Sequence, residues 1–217
     1  MKNLAIYGAG GFGREVQMLV EQINQKESTW NIIGFYDDGV EKGKIINETK
    51  LLGGLAELSQ VGTETFLVFA IGNPLTKKKL VDAISNPNIK YPTLIHPNVQ
   101  IGSFNEIGEG SIITAGNIIT VNTQIGKHVI LNLCCTVGHD AIIGDYCSCM
   151  PATNISGEVN ISACVYVGTG VKIVNQVDIG ENAIIGAGAV VAKSIPDNCT
   201  AVGIPAKPIK FHKEVVS

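Results

Sequence analysis

The sequence predicts an α/β domain over residues 1–92 followed by an all-β parallel helix over residues 93–217. Two observations carry this. From Ile95 to Val191, seventeen positions spaced six residues apart stay in one register, and all but Cys149 are aliphatic. Ahead of that run, short apolar stretches alternate with a glycine turn and amphipathic segments, the order expected of a small βαβαβ unit. A fixed short period marks a solenoid, and six residues are too few for a helical repeat, which needs roughly 33 to 47.

Taken in order, residues 3–7 are a short apolar strand, GAGGFG follows at residues 8–13, and residues 14–23 read as an amphipathic helix. This is G-x-G-x-x-G between a strand and a helix, the context that gives the motif meaning. The glycines permit a tight turn and the close approach of a phosphate, which a helix N-terminus attracts. A second apolar run at residues 32–36 ends at Asp37 and Asp38, about the distance beyond the turn at which a Rossmann acid meets a ribose hydroxyl. The other reading of the turn is that it only packs a helix on a sheet. Residues 66–71 read as a buried strand closed by Gly72, Asn73 and Pro74, residues 77–84 as a helix, and residues 91–95 as the entry to the first coil.

In the repeat, one hexad suits a short strand and a bend, and three hexads close an eighteen-residue triangular coil. Aliphatic groups at the first position stack up the inside. Small or β-branched residues at the fifth, such as Ser111, Thr123, Ala141 and Thr153, fill the tight interior. Glycine at the second position, as at Gly138, Gly144 and Gly168, allows the backbone to turn where a side chain would crowd it. The period stops at Ile195, and Pro196, Gly203, Pro205 and Pro208 break up a tail that caps the last open coil.

The formal net charge of −3 suggests neither a nucleic-acid nor a membrane-surface partner. The start, MKNLAIYGAGG, lacks the apolar run of a signal peptide, and no apolar stretch approaches the roughly 18 residues of a membrane span. The six cysteines lack the paired spacing of a zinc site and read as reduced packing residues of a cytoplasmic protein.

Of the four histidines, His139 stands at the third hexad position with Asp140 at the fourth, both facing outward when the first and fifth face inward. An outward histidine beside an acid is the simplest general base near neutral pH; a solvated surface pair is the alternative. One coil further on lies Gly157, leaving room for a ligand and an exposed backbone N–H.

Residues 132–146, NLCCTVGHDAIIGDY, resemble the active-site coil of the sialic-acid O-acetyltransferase-like enzymes, a group that includes bacterial N-acetyltransferases acting on UDP-linked 4-amino sugars. The resemblance runs through the 8–13 loop, the Asp37-Asp38 pair and the AVGIPAKP segment at residues 201–208, essentially the whole chain. It implies a Rossmann-like domain joined to the left-handed parallel β-helix of the hexapeptide-repeat acyltransferases, assembled as a homotrimer. It further implies acetyl-CoA as co-substrate with no metal, His139 as the base and Asp140 as its orienting acid. Gly157 would offer its N–H to the thioester carbonyl. Pantetheine would run past Gly168, Gly186 and Ala187 in a cleft between subunits, with Pro205 and Lys207 in the tail lining the coenzyme A slot. The UDP-linked sugar would lie with its diphosphate at Gly8, Gly10, Gly11, Phe12 and Gly13 and its uridine held by Asp37, with Asp38 beside it. Two residues depart from the pattern: Ser148 stands where members often carry a second histidine, and Phe12 where many carry a histidine in the glycine loop.

The expected activity is therefore acetyl transfer to an amine, or a hydroxyl, of a nucleotide-activated sugar. Two other classes share the fold. A metal-dependent lyase or hydrolase needs three converging histidines, whereas His128 and His139 are eleven residues apart, not a multiple of the coil. A non-catalytic nucleotide-binding scaffold needs no base at all, and fold alone does not choose among the three.

Overall fold

The computed structural model describes residues 1–212. Its first part is a six-stranded sheet in the order β3-β4-β2-β1-β5-β6, from strands β1 (Lys2–Tyr7), β2 (Trp30–Tyr36), β3 (Ile45–Ile46), β4 (Thr49–Gly53), β5 (Thr65–Phe69) and β6 (Ile89–Lys90). Three helices join them: α1 (Gly11–Lys26), α2 (Leu55–Leu58) and α3 (Pro74–Asp82). All pairs are parallel except the β3–β4 hairpin. Helix α3 begins three residues earlier than the sequence suggests, because Asn73 caps it by accepting from the Thr76 N–H and Pro74 fills the first turn, where no N–H is needed. The hairpin and α2 carry no strong local signal: the turn residues Asn47 and Glu48 both take positive φ, a geometry usually announced by Asn-Gly. The chain moves outward from β1 through β2 to β4 and then crosses back to β5, so the sheet reverses direction between β1 and β5.

The second part is a left-handed parallel β-helix. Its seventeen two-residue strands run from Leu94–Ile95 to Val190–Val191, and the second residue of each is one of the seventeen in-phase positions. Strands pair with their neighbours eighteen residues away, Ile113 with Ile95 and Leu131, for example, which closes three flat faces. Face one starts with Leu94–Ile95, face two with Gln100–Ile101 and face three with Glu106–Ile107. From Ile113 onward every first-position side chain is buried; Ile101, in a first coil with nothing beneath it, remains 41 % exposed.

Glycine at the second hexad position has a different cause from a turn. Its φ is ordinary, but a Cβ on Gly138 or Gly168 would come within 2.6 Å of backbone nitrogen in the next coil. The bend is made at the fourth position, where Asn122, Cys134, Asp140, Tyr146 and their equivalents take φ near +60°. The fifth-position residues are buried as expected.

The α/β domain sits on face one. The outward residues Leu94, Ile112 and Ile130 are at most 1 % exposed and share a core with Leu4, Ile6, Val16 and Leu19. On the other faces the same hexad position stays open, as at Ile118 and Ile142. Beside this seam His128 stacks on Tyr146 at 5.4 Å and meets Tyr91 edge-on at 5.0 Å. Burial pushes its imidazole down to about 4, the neighbouring Lys77 adding to the effect, so it is neutral at physiological pH.

At the C-terminal end, Cys199–Val202 extends face one beside Ile184–Ile185 and Lys207–Phe211 folds back antiparallel to it. Cys199 and Ala201 join the helix core, as a cap requires. Five of the six cysteines are buried and all six are unpaired. No described helix is long and apolar enough to cross a membrane.

Candidate active site

His139 lies on the bend between faces two and three, between Thr136–Val137 and Ile142–Ile143. The αL backbone of Asp140, which aspartate tolerates better than most residues, turns its carboxylate back beside the ring. His139 Nδ1 lies 2.8 Å from Asp140 Oδ2, and Asn122, one coil below, donates to Asp140 Oδ1 at 3.1 Å. These bonds, that of His139 foremost, hold the Asp140 carboxyl below its usual range. An ionised Asp140 accepts from Nδ1–H, which leaves the lone pair on Nε2. That nitrogen points over Gly157: a Cβ there would run into Nε2 and come 2.5 Å from Cε1. The Gly157 N–H donates to no backbone carbonyl among the described residues. An imidazole with its Nε2 lone pair free therefore stands beside an unclaimed N–H donor.

The glycine loop is built as its motif requires. Gly8 takes φ +104°, and a Cβ on Gly13 would run into the Gly8 carbonyl oxygen, so these two glycines serve the turn and the close helix–strand contact. Gly10 faces open space and Gly11 nearly so, beside the free N–H groups of the first turn of α1. Phe12 is half-buried against the core of this domain. Asp37 Oδ2 accepts from the Ala9 N–H and Oδ1 from the Gly39 N–H, while Asp38 accepts from Tyr7 Oη and the Leu55 N–H. Both acids thus hold the loop and its surroundings in place, with lone pairs left for a further donor.

Between the 72–75 segment and face one lies a cavity of about 600 Å³ that sequence reasoning does not reach. Gly72, Asn73 and Pro74 form its wall, Met150, Tyr166 and Ile184 its floor, and His212 one end. Its wall follows the C-terminal end of β5, one of the two strands at the reversal, and open α/β sheets bind ligands outside such strand ends. Nothing in the local sequence marks it, because its two sides lie about seventy residues or more apart.

The expected residues fall into three places. His139 and Gly157 share the bend between faces two and three. Gly168, Gly186 and Ala187 lie on the bend between faces one and two, with Pro205 and Lys207 exposed in the tail beyond. The 8–13 loop and the acid pair belong to the domain on face one, so His139 occupies the corner opposite that face. Ser148 is fully buried beneath α3 rather than near His139. His96, His128 and His139 sit on three different corners, and the described residues hold no cluster of three metal-binding side chains.

Residues 3–84 match the PglD N-terminal domain family. Over 97 % of both chains the protein is 34 % identical to the GDP-perosamine N-acetyltransferase of Escherichia coli O157:H7. The acetyltransferase domain of PglB from Neisseria gonorrhoeae superposes with a TM-score of 0.89 at 29 % identity, over 96 % of this chain and 100 % of that one. PerB from Caulobacter crescentus, solved in complex with CoA and GDP-perosamine, superposes with a TM-score of 0.83 at 27 % identity, over 97 % and 98 % of the two chains. The full-length likeness, the PglD-type domain and the eighteen-residue coils together make this chain a member of the hexapeptide-repeat acyltransferase family.

Proposed function

We propose that the protein transfers the acetyl group of acetyl-CoA to the amine of a nucleotide-diphosphate sugar, with His139 as general base. The observation that carries this is the His139–Asp140 pair at 2.8 Å with Nε2 turned over Gly157. Nε2 takes a proton from the amine as its nitrogen attacks the thioester carbonyl, and the tetrahedral oxyanion receives the Gly157 N–H. Collapse breaks the carbon–sulfur bond, the amide forms, and the imidazolium returns its proton to the departing thiolate. No acyl-enzyme is needed. An amine is favoured over a hydroxyl because a neutral amine needs less help from one imidazole, and the Escherichia coli relative is a GDP-perosamine N-acetyltransferase.

The nucleotide sugar lies along the open side of Gly10 and Gly11 with its diphosphate at the N-terminus of α1, Asp37 and Asp38 framing the nucleoside. The reactive end enters the cavity beside Asn73, whose lining offers amides, Tyr166 and His212 to neutral sugar hydroxyls. The resemblance in sequence favours a uridine carrier, and the perosamine enzymes act on a GDP-linked sugar, so both belong in the test. In a thermal-shift panel, acetyl-CoA and one nucleotide amino sugar each raise the melting temperature. A ligand at a hundred times its Kd adds about 2.7 kcal/mol to the folded state. No shift with acetyl-CoA overturns the acetyltransferase; a shift with acetyl-CoA alone removes the nucleotide handle.

A single chain holds its base and its sugar-binding domain on opposite sides, which supports a homotrimer with each site shared between neighbours. Exposed apolar groups gather on and beside the His139 corner: Phe104, Val121 and Ile142, with Phe104 85 % exposed. Such a patch suits a second copy. The coenzyme A strip at Gly168, Gly186 and Ala187 of one chain then faces the His139 corner of the next. Mixing His139→Ala and Asp37→Ala chains after dissociation tests this. With sites shared between neighbours, one in four pairs a wild-type Asp37 with a wild-type His139, so roughly a quarter of the activity returns. No recovery means that each site lies within one chain.

A further inference from the structure

Helix α3 meets the β-helix through one buried lysine. Lys77 is 1 % exposed; its Nζ donates to Ser148 Oγ at 3.0 Å and to the Cys147 carbonyl at 3.4 Å. No carboxylate pairs with it among the described residues. Such burial is costly, and an apolar side chain of similar volume would satisfy this seam at less expense. Burial pushes the amine down to about 7, and its neutral form has two N–H groups, matching the two acceptors. The lysine is thus poorly explained by stability alone. What it adds is direction.

Ser148 continues the outward ladder of face one above Leu94, Ile112 and Ile130, and it is the polar rung among these aliphatic ones. One such polar partner under one buried lysine fixes where α3 rests; an aliphatic contact would tolerate sliding. The two residues also sit at the joint of the cavity. Lys77 follows the 72–75 wall by half a turn of helix, its N–H bonded to the Asn73 carbonyl. The next rung above Ser148 is Tyr166, part of the cavity floor.

We propose that Lys77 and Ser148 form a polar pin that holds the wall of this cavity at a fixed position over its floor, making Lys77 a positioning residue for the acceptor. The role in acceptor binding rests on the assignment of the cavity to the sugar; the pin itself does not.

The test uses the full chain with Lys77→Met, Ser148→Ala and the double variant. Loss of a pin worth one hydrogen bond raises the acceptor KM about tenfold. The acetyl-CoA KM and the kcat at saturation stay as in the parent, and amide exchange over residues 72–82 speeds up selectively. The double variant is no worse than Lys77→Met, because both changes break one interaction. An unchanged acceptor KM with only a lower melting temperature overturns the positioning role, as do losses that simply add. Should Lys77→Met fail to fold, Ser148→Ala carries the same comparison. If the parent turns over no nucleotide sugar, the acceptor reading fails separately. Exchange over residues 72–82 then decides the pin: selective acceleration keeps it, and an unchanged pattern removes it.

Discussion

Replacing His139 by alanine is expected to lower turnover about 10²- to 10⁴-fold, the usual contribution of a general base, without changing acetyl-CoA affinity or the melting temperature. Stability should hold because the side chain is more than half exposed, so its loss opens no cavity in the helix interior. Cofactor affinity should hold because the proposed pantetheine strip of Gly168, Gly186 and Ala187 is left intact by the substitution. Asp140→Asn is informative beside it. The amide can donate to Nδ1, which favours the tautomer with its proton on Nε2, the wrong nitrogen for accepting one. Asn122 would still bond the replaced side chain, so geometry survives while basicity does not. Thiol release in single-turnover conditions measures both variants. An alanine variant as fast as the parent removes His139 from the mechanism.

The helix was legible because its information is local and repeated. Each of the seventeen in-phase residues is the inner residue of a two-residue strand, and the hexad position alone tells that His139 points outward and Ala141 inward. The cause assigned to glycine needed the structure, since crowding between coils and a positive φ leave the same residue type in a sequence. The strand–turn–helix at residues 8–13 was readable for the same reason as the hexads: its constraints act within a few residues. Relations between the two domains were not. Which face the α/β domain covers depends on Leu94, Ile112 and Ile130 being apolar at an outward position, yet Ile118 and Ile142 are equally apolar and remain open. The Lys77–Ser148 contact and the cavity above it join residues that no period or motif relates. The separation of His139 from the 8–13 glycine loop follows from that docking, so it too was hidden.

Gly157→Ala should silence the enzyme while leaving it folded, with turnover down by about 10²-fold, the effect of displacing a reacting group by an ångström. The three atoms nearest to an added Cβ all belong to the His139 ring. Its φ lies outside the left-handed region, so alanine costs nothing in conformation. The imidazole is the part that must yield, and in moving it leaves Asp140 Oδ2 or the path to the amine. The alanine keeps its N–H, so a loss cannot be charged to the oxyanion contact itself. This separates two roles that His139→Ala alone leaves entangled. If Gly157 acts by giving the ring its place, the His139→Ala, Gly157→Ala double variant is no slower than His139→Ala, because the ring that alanine displaced is already gone. A further drop in the double variant means that residue 157 touches the reacting atoms directly. A Gly157→Ala enzyme of parental speed means that the ring works from another position, and the line from Asp140 through Nε2 to the amine must be redrawn.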